Sequence, residues 1–496
     1  MIEQLPVLNM LAFLGMALAI PLFKRLPFRL TMVLGFVVLS AVLVSSGFVL
    51  SEVGRNGAFA YRFGGHEGRI GIELMIDGFS AFFSFFVVAV VLLVYVYSCG
   101  DATEGIYKKE YGRFYILLFI LLFAMLGIIY TNDLFNTYVF MEIIAITSGS
   151  IITIKRKREN YAAAFRYMML NEMGSLSFLL GVALLYMATG YTNIDLVASR
   201  IGDLWATYPF SVTTVLSFMI VGFGIKAAIF PLHIWLPDAY STAPTSSSAI
   251  LSGTVGKVYM LILIKLLFRV FGVDVMADLN VPQVLVGMAT LGMILGSVFA
   301  LAQKDVKRML AYSSVAQIGY IVMAVGLFSM LGLRAAFFHI VSHALMKAAL
   351  FLAVGIVIYD RNIRHVRAFA GLGPTLPVAL GVFAVAALGM IGIPGTSGFI
   401  SKLYLAIALL DGGLGLLIAV VIASAVLNAM YYLPILIDSY LRENPAEPPR
   451  GTPRVEKVPA AMLVPVIALG AAILVFGFYP DLLTGWLEGA AAALQS

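Results

Sequence analysis

Apolar residues run in long blocks along almost the whole chain, and polar residues gather in the short gaps between them. Fourteen blocks are readable, near 4–22, 30–50, 74–98, 113–130, 133–154, 163–188, 209–230, 243–268, 284–302, 307–329, 333–358, 376–409, 414–438 and 459–480. Each matches the roughly 20 apolar residues a helix needs to cross a bilayer. The pattern predicts an all-α polytopic membrane protein with about fourteen transmembrane helices. Blocks four and five are separated only by Tyr130, Thr131, Asn132 and Asp133, which predicts a tight helical hairpin. The stretch from Leu8 to Phe23 has no basic run before it and no clear small-residue cleavage site, so it reads as a retained first helix.

Composition agrees with a lipid setting. Hydrophobic residues make up 61% of the chain and charged residues 12%, against roughly 25% charged in soluble domains. The single cysteine, Cys99, excludes a disulfide framework and an iron–sulfur site carried by this chain alone. No metal or cofactor site is expected, and any electron transfer belongs to a partner.

The charges test the helix count. With fourteen spans, one set of loops receives 20 basic residues and the other receives 6: Arg55, Arg62, Arg69, Arg200, Arg269 and Arg334. The basic side is cytoplasmic by the positive-inside rule, which sets both termini outward in a prokaryotic plasma membrane. Arg166, Lys226, Lys257, Lys265, Lys347 and Lys402 fall inside the blocks.

Two blocks are interrupted. Block seven runs from Gly222 through Lys226 to Pro231, then continues through His233, Trp235 and Pro237. Block twelve holds Gly389, Gly392, Pro394, Gly395 and Gly398 ahead of Lys402. Proline removes a backbone donor and clashes with the preceding turn. Such breaks survive at membrane depth only in protein or beside a polar cavity. They lie five blocks apart, so a five-helix unit repeated once returns inverted, the pattern of inverted-repeat transporters. The expected organisation is three helices in 1–100, one repeat in 111–271, its inverted copy in 284–440, and a helix with an amphipathic tail in 459–496. The bland alternative is a pair of kinked helices without a role.

A charge at the bilayer centre costs at least ~2.5 kcal/mol and usually serves a path. Glu142 lies in block five, Lys226 beside the break of block seven, Lys257 in block eight and Lys402 after the break of block twelve. A single Glu–Lys pair would read as helix glue, whereas four charges read as a relay. In block eleven His339, His343 and Lys347 stand at i, i+4 and i+8, stacked on one helix face over about 12 Å. Histidine exchanges protons nearest neutral pH. A haem or zinc site at this row lacks an HExxH pattern or cysteine ligand. Glu172 in block six either extends the path or pairs with Arg166 or a neighbouring subunit. Lys265 near the end of block eight has a stem long enough to snorkel to the interface. Asp77, Asp101 and Asp133 near membrane edges read as solvated carboxylates.

At these residues the chain resembles the antiporter-like subunits shared by respiratory complex I, the Mrp-type multisubunit cation/proton antiporters and the membrane-bound hydrogenases. The motifs are Gly224-Ile-Lys226, Pro231-Leu-His233-Ile-Trp235-Leu-Pro237-Asp238-Ala239, Ala243-Pro244-Thr245, Ser252-Gly253, Lys307-Arg308 through Ser313-Ser314, and the His339/His343/Lys347 row. By length and motifs the chain is similar to the D-type subunit of the Mrp antiporters. The resemblance covers about residues 70–440 and implies two inverted five-helix repeats and partner membrane subunits. It implies that Glu142 and Lys226 are a pair, Lys257 the central lysine and Lys402 the terminal relay residue, a position held by glutamate in some members. Gln317 departs, because some members carry histidine there.

The expected function is proton translocation, in exchange for sodium or another cation, inside a larger assembly. Glu142 near Lys226 stabilises the protonated ammonium, and their separation releases its proton toward Lys257, the histidine row and Lys402. The alternatives are a proton-pumping subunit of a complex I-like quinone oxidoreductase or hydrogenase, a quinone-reactive enzyme, a self-sufficient carrier, and a purely structural subunit. The missing cysteines and the lack of a GxGxxG fingerprint count against redox chemistry in this chain.

Overall fold

A computed structural model describes residues 2–22, 28–65, 72–100, 106–107, 110–442 and 458–494. Phe23, Lys24, Arg25, Arg69, Asp101, Lys108, Lys109, Arg450, Arg454 and Lys457 lie outside the described residues.

The chain opens with α1 (Leu5–Leu22) and α2 (Phe28–Asn56), then a hairpin of β1 (Phe59–Arg62) and β2 (Glu73–Ile76). The strands pair antiparallel, with Phe59 opposite Ile76 and Arg62 opposite Glu73. Next come α3 (Gly78–Gly100), α4 (Tyr111–Tyr130), α5 (Leu134–Ile152), α6 (Arg158–Thr189), α7 (Ile194–Thr207) and α8 (Pro209–Lys226). The middle of the chain holds α9 (Leu236–Thr242), α10 (Thr245–Ile250), α11 (Gly256–Lys265) and α12 (Gly272–Asp278). It continues with α13 (Val281–Leu301), α14 (Val306–Val325), α15 (Met330–Arg361), α16 (Pro377–Ile391) and α17 (Ser397–Asp411). The last helices are α18 (Ile418–Leu441), α19 (Ala460–Phe478) and α20 (Asp481–Ala492).

Among the described residues, 12 helices are long and apolar enough to cross a membrane. They fall on twelve of the fourteen predicted blocks. The other two blocks are divided. Block twelve is split into α16 and α17: Gly392 ends α16 at φ 96°, where a side chain would be strained, and Thr396 caps α17 by accepting from Phe399 N. Block eight was expected to be continuous. It is instead α10, a π turn over Leu251–Val255, α11, and a second π turn over Leu266–Phe271. Block seven breaks at Lys226 itself, one turn ahead of Pro231. A proline ring collides with the carbonyl four residues earlier, and Ala227 is that residue.

The hydrogen-bonding side chains that start the helices are legible locally. Asp133 accepts from Asn136 N at the head of α5, Asp305 from Arg308 N at α14, and Ser329 from Gly332 N at α15. Helix α15 occupies the centre. Its eighteen-residue apolar window is 100% buried, while α2 and α18 are 28% buried and face outward. A helix apolar all round except for one narrow polar row belongs in a core. It packs against α3, α10, α14, α16, α17, α19 and α20, so the His339/His343/Lys347 row lies on the most enclosed helix.

Three elements escaped the sequence reading: the hairpin, α7 and α12. Helix α7 buries Ile194, Val197 and Ile201 on one stripe. The expectation of a solvated Asp77 is corrected. Asp77 is 4% exposed, its Oδ1 accepts from Ser80 N at 2.8 Å, and its Oδ2 pairs with Arg269 at 3.1 Å. A carboxylate taken out of water needs such partners. Lys265 does not snorkel either, since it is 2% exposed and donates to Thr131 O at 2.8 Å.

Candidate functional site

The first cluster is built by α5, α6 and α8. Lys226 is the last residue of α8 and is fully buried, with Nζ 3.6 Å from Glu142 Oε1. Its ammonium also lies 5.8 Å from the Tyr259 ring centroid. Trp235 Nε1 donates to Ile225 O at 2.8 Å, which ties the broken segment back onto the end of α8. Glu172 faces Glu142 and Lys226. It does not pair with Arg166, which meets Asp238 at 2.5 Å. Close helix approach makes this cluster: a Cβ on Gly174 would come within 2.9 Å of Gly222 O, and one on Gly222 within 2.8 Å of Gly174 O. Small residues are how membrane helices reach such contact.

The second cluster is central. Lys257 donates to the carbonyl of Ser252 in the first π turn, and Ser252 Oγ lies 3.2 Å from Ser314 Oγ on α14. Single-turn π insertions recur at functional positions because they redirect backbone groups. Lys257 lies within electrostatic reach of His339, His343 and Lys347. Lys347 Nζ donates to Leu310 O at 2.6 Å and to Ser313 Oγ. The rings of His339 and His343 stack at 5.9 Å. Both ring nitrogens of His343, Nε2 of His339 and both amide atoms of Gln317 are buried without a hydrogen-bond partner.

The third cluster follows the break between α16 and α17. Lys402 Nζ donates to Met390 O at 2.7 Å and Ile391 O at 2.9 Å at the end of α16, and Asn428 Nδ2 also donates to Met390 O at 3.3 Å. A cation is favoured at that negative helix pole. His339 Nδ1 lies 2.8 Å from Ser401 Oγ, one residue from Lys402. Tyr320 sits between them, stacked on His339 at 5.4 Å and 4.7 Å below the Lys402 ammonium.

Seven of the predicted residues therefore fall in a file of three clusters: Glu142 and Lys226, then Lys257, His343, His339 and Lys347, then Lys402. The second and third meet through Ser401 and Tyr320, and the first reaches toward the second through Tyr259, two residues from Lys257. Glu172 joins the first cluster, and Gln317 lies on α14 one turn beyond Ser313. His233 stands apart, stacked on Phe230 at 5.2 Å and Phe299 at 6.3 Å. Lys265 lies apart as well, at the α4–α5 turn. Sequence reasoning missed Tyr320 and Ser401, and it counted Lys307 among the loop charges and in a family motif without a buried role. Lys307 is 1% exposed and reaches Ala243 O at 2.6 Å. The adjacency of Ser401 and Lys402 was the readable signal. Nothing local announces Tyr320.

A model of the family described as NADH:quinone oxidoreductase/Mrp antiporter, TM, matches residues 131–428, which hold every residue of the file. The chain belongs to that family. The N-type subunit of NADH-quinone oxidoreductase from Desulforudis audaxviator is 37% identical over 494 residues, covering 97% of each chain. The D-type subunit of the Na(+)/H(+) antiporter from Alkalihalophilus pseudofirmus is 29% identical over 90% of this chain and 87% of its own. A chain of the Mrp complex from Dietzia sp. DQ12-45-1b superposes with a TM-score of 0.89 at 26% identity, covering 100% of this chain and 98% of that one. This NADH:quinone oxidoreductase/Mrp antiporter family member is thus an antiporter-like, multi-pass membrane subunit, and its relatives are subunits of multisubunit assemblies. The resemblance read from the sequence motifs holds. The relatives include N-type subunits of oxidoreductases and both D-type and A-type subunits of antiporters.

Proposed function

We propose that this chain carries protons across the membrane through Glu142, Lys226, Lys257, the His343/His339/Lys347 row and Lys402, as the Mrp D-type subunit of a multisubunit cation/proton antiporter. The single observation that carries the reading is the burial of Lys226, Lys257, His339, His343, Lys347 and Lys402 in one file with only Glu142 and Glu172 as counter-charges. So many cations cannot all be charged at once without a heavy desolvation cost. A file that holds fewer charges than sites passes charge along by emptying one site before filling the next. Separation of Glu142 from Lys226 pushes the Lys226 proton toward Lys257. Water then bridges past Gln317, whose amide carries no proton charge, and the histidines hand the proton to Lys402.

The fit of the whole chain on a chain of the Mrp complex supports an Mrp-type subunit, and the 29% identity to a D-type antiporter subunit supports the D type. Corresponding helix pairs support the inverted repeats in 111–271 and 284–440. Helices α4 and α5 pack as α13 and α14 do, α5 and α6 as α14 and α15, and α6 and α8 as α15 and α16. The proposal sets the basic loops on the cytoplasmic side of a prokaryotic plasma membrane, with partner membrane subunits alongside. Protons are its cargo, and the exchanged ion of the assembly is sodium. A second reading, a proton-pumping subunit of a complex I-like quinone oxidoreductase, is favoured by the 37% identity to an N-type relative.

The test is proton flux in vesicles carrying the whole complex, native against Lys257→Ala. Collapse of flux with the complex assembled supports the relay. Unchanged flux makes the chain a scaffold. Sodium-dependent flux without an electron donor favours the Mrp D type, and flux that needs quinone reduction favours the alternative.

A further inference from the structure

Lys265 is buried in the same helix as Lys257, eight residues further along α11 and so about 12 Å away. The relay file does not include it. Three charged groups face it: Asp77 at the head of α3, Arg269 in the second π turn and Asp195 on α7. Both carboxylates are taken by Arg269, Asp77 at 3.1 Å and Asp195 at 2.9 Å. Lys265 keeps only the neutral Thr131 carbonyl, at 2.8 Å. Beyond the ion pair opens a cavity of about 900 Å³ lined by Arg55, Asp77, Arg269, Asp481 and Trp486. Asp77 and Arg269 therefore border the cavity while Lys265 sits behind them.

We propose that Lys265 is a second proton-exchanging group, served by this cavity, and that the Asp77–Arg269 pair is its gate. The inference rests on the proton-translocating reading of the chain. The geometry of Asp77 supplies the switch. Its Oδ1 is fixed by Ser80 N, so only Oδ2 is free to change partners. Two cations compete for that oxygen, the buried Lys265 and the partly exposed Arg269. Arg269 remains charged throughout and has a second acceptor in Asp195, whose side chain is 42% exposed. When Arg269 leans on Asp195 alone, Oδ2 turns to Lys265 and holds its ammonium form. When Arg269 returns to Asp77, Lys265 loses its counter-charge. Its N–H bond then breaks heterolytically, the proton passes to cavity water as hydronium, and a neutral amine remains. The reverse sequence loads it.

The experiment compares Lys265→Arg with Lys257→Ala in the assembled complex in vesicles. Arginine keeps the positive charge and the bond to Thr131 but does not release a proton. Flux is expected to fall about tenfold or more, a loss that a merely structural cation would not produce. Full flux in Lys265→Arg with none in Lys257→Ala overturns this inference and leaves the relay standing. Full flux in both overturns the relay reading as well. Where Lys265→Arg fails to assemble, Lys265→Cys in a Cys99→Ser background gives a second readout. A membrane-impermeant cationic thiol reagent applied from the hairpin side is expected to label it, about tenfold faster once Arg269→Gln opens the pair. No labelling from that side, or a rate that Arg269→Gln leaves unchanged, overturns the gate.

Discussion

Lys226 Nζ stands 3.6 Å from Glu142 Oε1, and neither atom makes a hydrogen bond. The pair is held chiefly by charge, at a separation longer than an ordinary hydrogen bond, and the Glu142 side chain is 18% exposed. Such a contact lengthens at little geometric cost, which suits a switch better than a staple. Glu142→Ala and Lys226→Ala are each expected to lower proton flux about tenfold or more, with assembly intact, and the double variant is expected to lose no more than either alone. Flux assays paired with native-gel assembly check this. Loss of assembly in both single variants would return the pair to structural glue.

The Glu142–Lys226–Glu172 cluster depends on the contact of Gly174 with Gly222. Gly222→Val puts branched carbons where a Cβ alone would already be 2.8 Å from Gly174 O and 3.0 Å from Phe178 N. Helices α6 and α8 must part, at a cost of about 1–3 kcal/mol for overpacking. The variant is expected to melt at lower temperature in detergent and to lose flux. Gly202→Val, where nothing lies within 4 Å, is the control and is expected to do neither.

Much of this architecture was legible because lipid enforces it. Each spanning helix must be apolar over its full length, so block boundaries and the stray charges within blocks stand out in the sequence. Pro231 and Pro394 announced the two breaks for the same reason. The π turns flanking α11 were not legible, since Ser252 and Gly253 fit an ordinary membrane helix equally well. The stacking of Tyr320 between His339 and Lys402 joins α14, α15 and α17, and no local pattern carries a contact among three helices. Asp77 was misread because its partner Arg269 lies 192 residues away. Edge position suggested water where the fold supplied an arginine.

Lys402 does two jobs that substitutions separate. It caps Met390 O and Ile391 O, and it stands last in the proposed relay. Lys402→Gln keeps a donor for the carbonyls but carries no exchangeable charge. It is expected to assemble with near-native thermal stability and to lose flux. Lys402→Met removes the donor too and is expected to cost about 1.5–3 kcal/mol, as for a hydrogen bond from a charged group. Thermal melts and flux on both variants check the separation. Equal melting of Lys402→Gln and Lys402→Met would show that the carbonyls at the end of α16 do not need the cap.

Glu73 gives the hairpin a pH dependence of definite sign. Burial works to raise its pKa, but Arg62 at 2.9 Å, Asn132 at 2.9 Å and Asn193 at 3.4 Å outweigh it and hold the carboxyl below its ordinary value of 4.5. A group whose folded pKa is depressed adds stability that is complete above the ordinary value and disappears as pH falls through the folded one. The β1–β2 pairing and the α4–α5 turn, which Asn132 joins through Glu73, are therefore expected to loosen in acid and not in base. Hydrogen exchange over 59–62 and 73–76, corrected for intrinsic rates, is expected to show strong protection near neutral pH that weakens below 4.5. Glu73→Gln retains an acceptor without a titrating charge, so its protection is expected to be weaker at neutral pH and flat through the acid range. Parallel pH profiles for the two proteins would mean that Glu73 does not set the acid response.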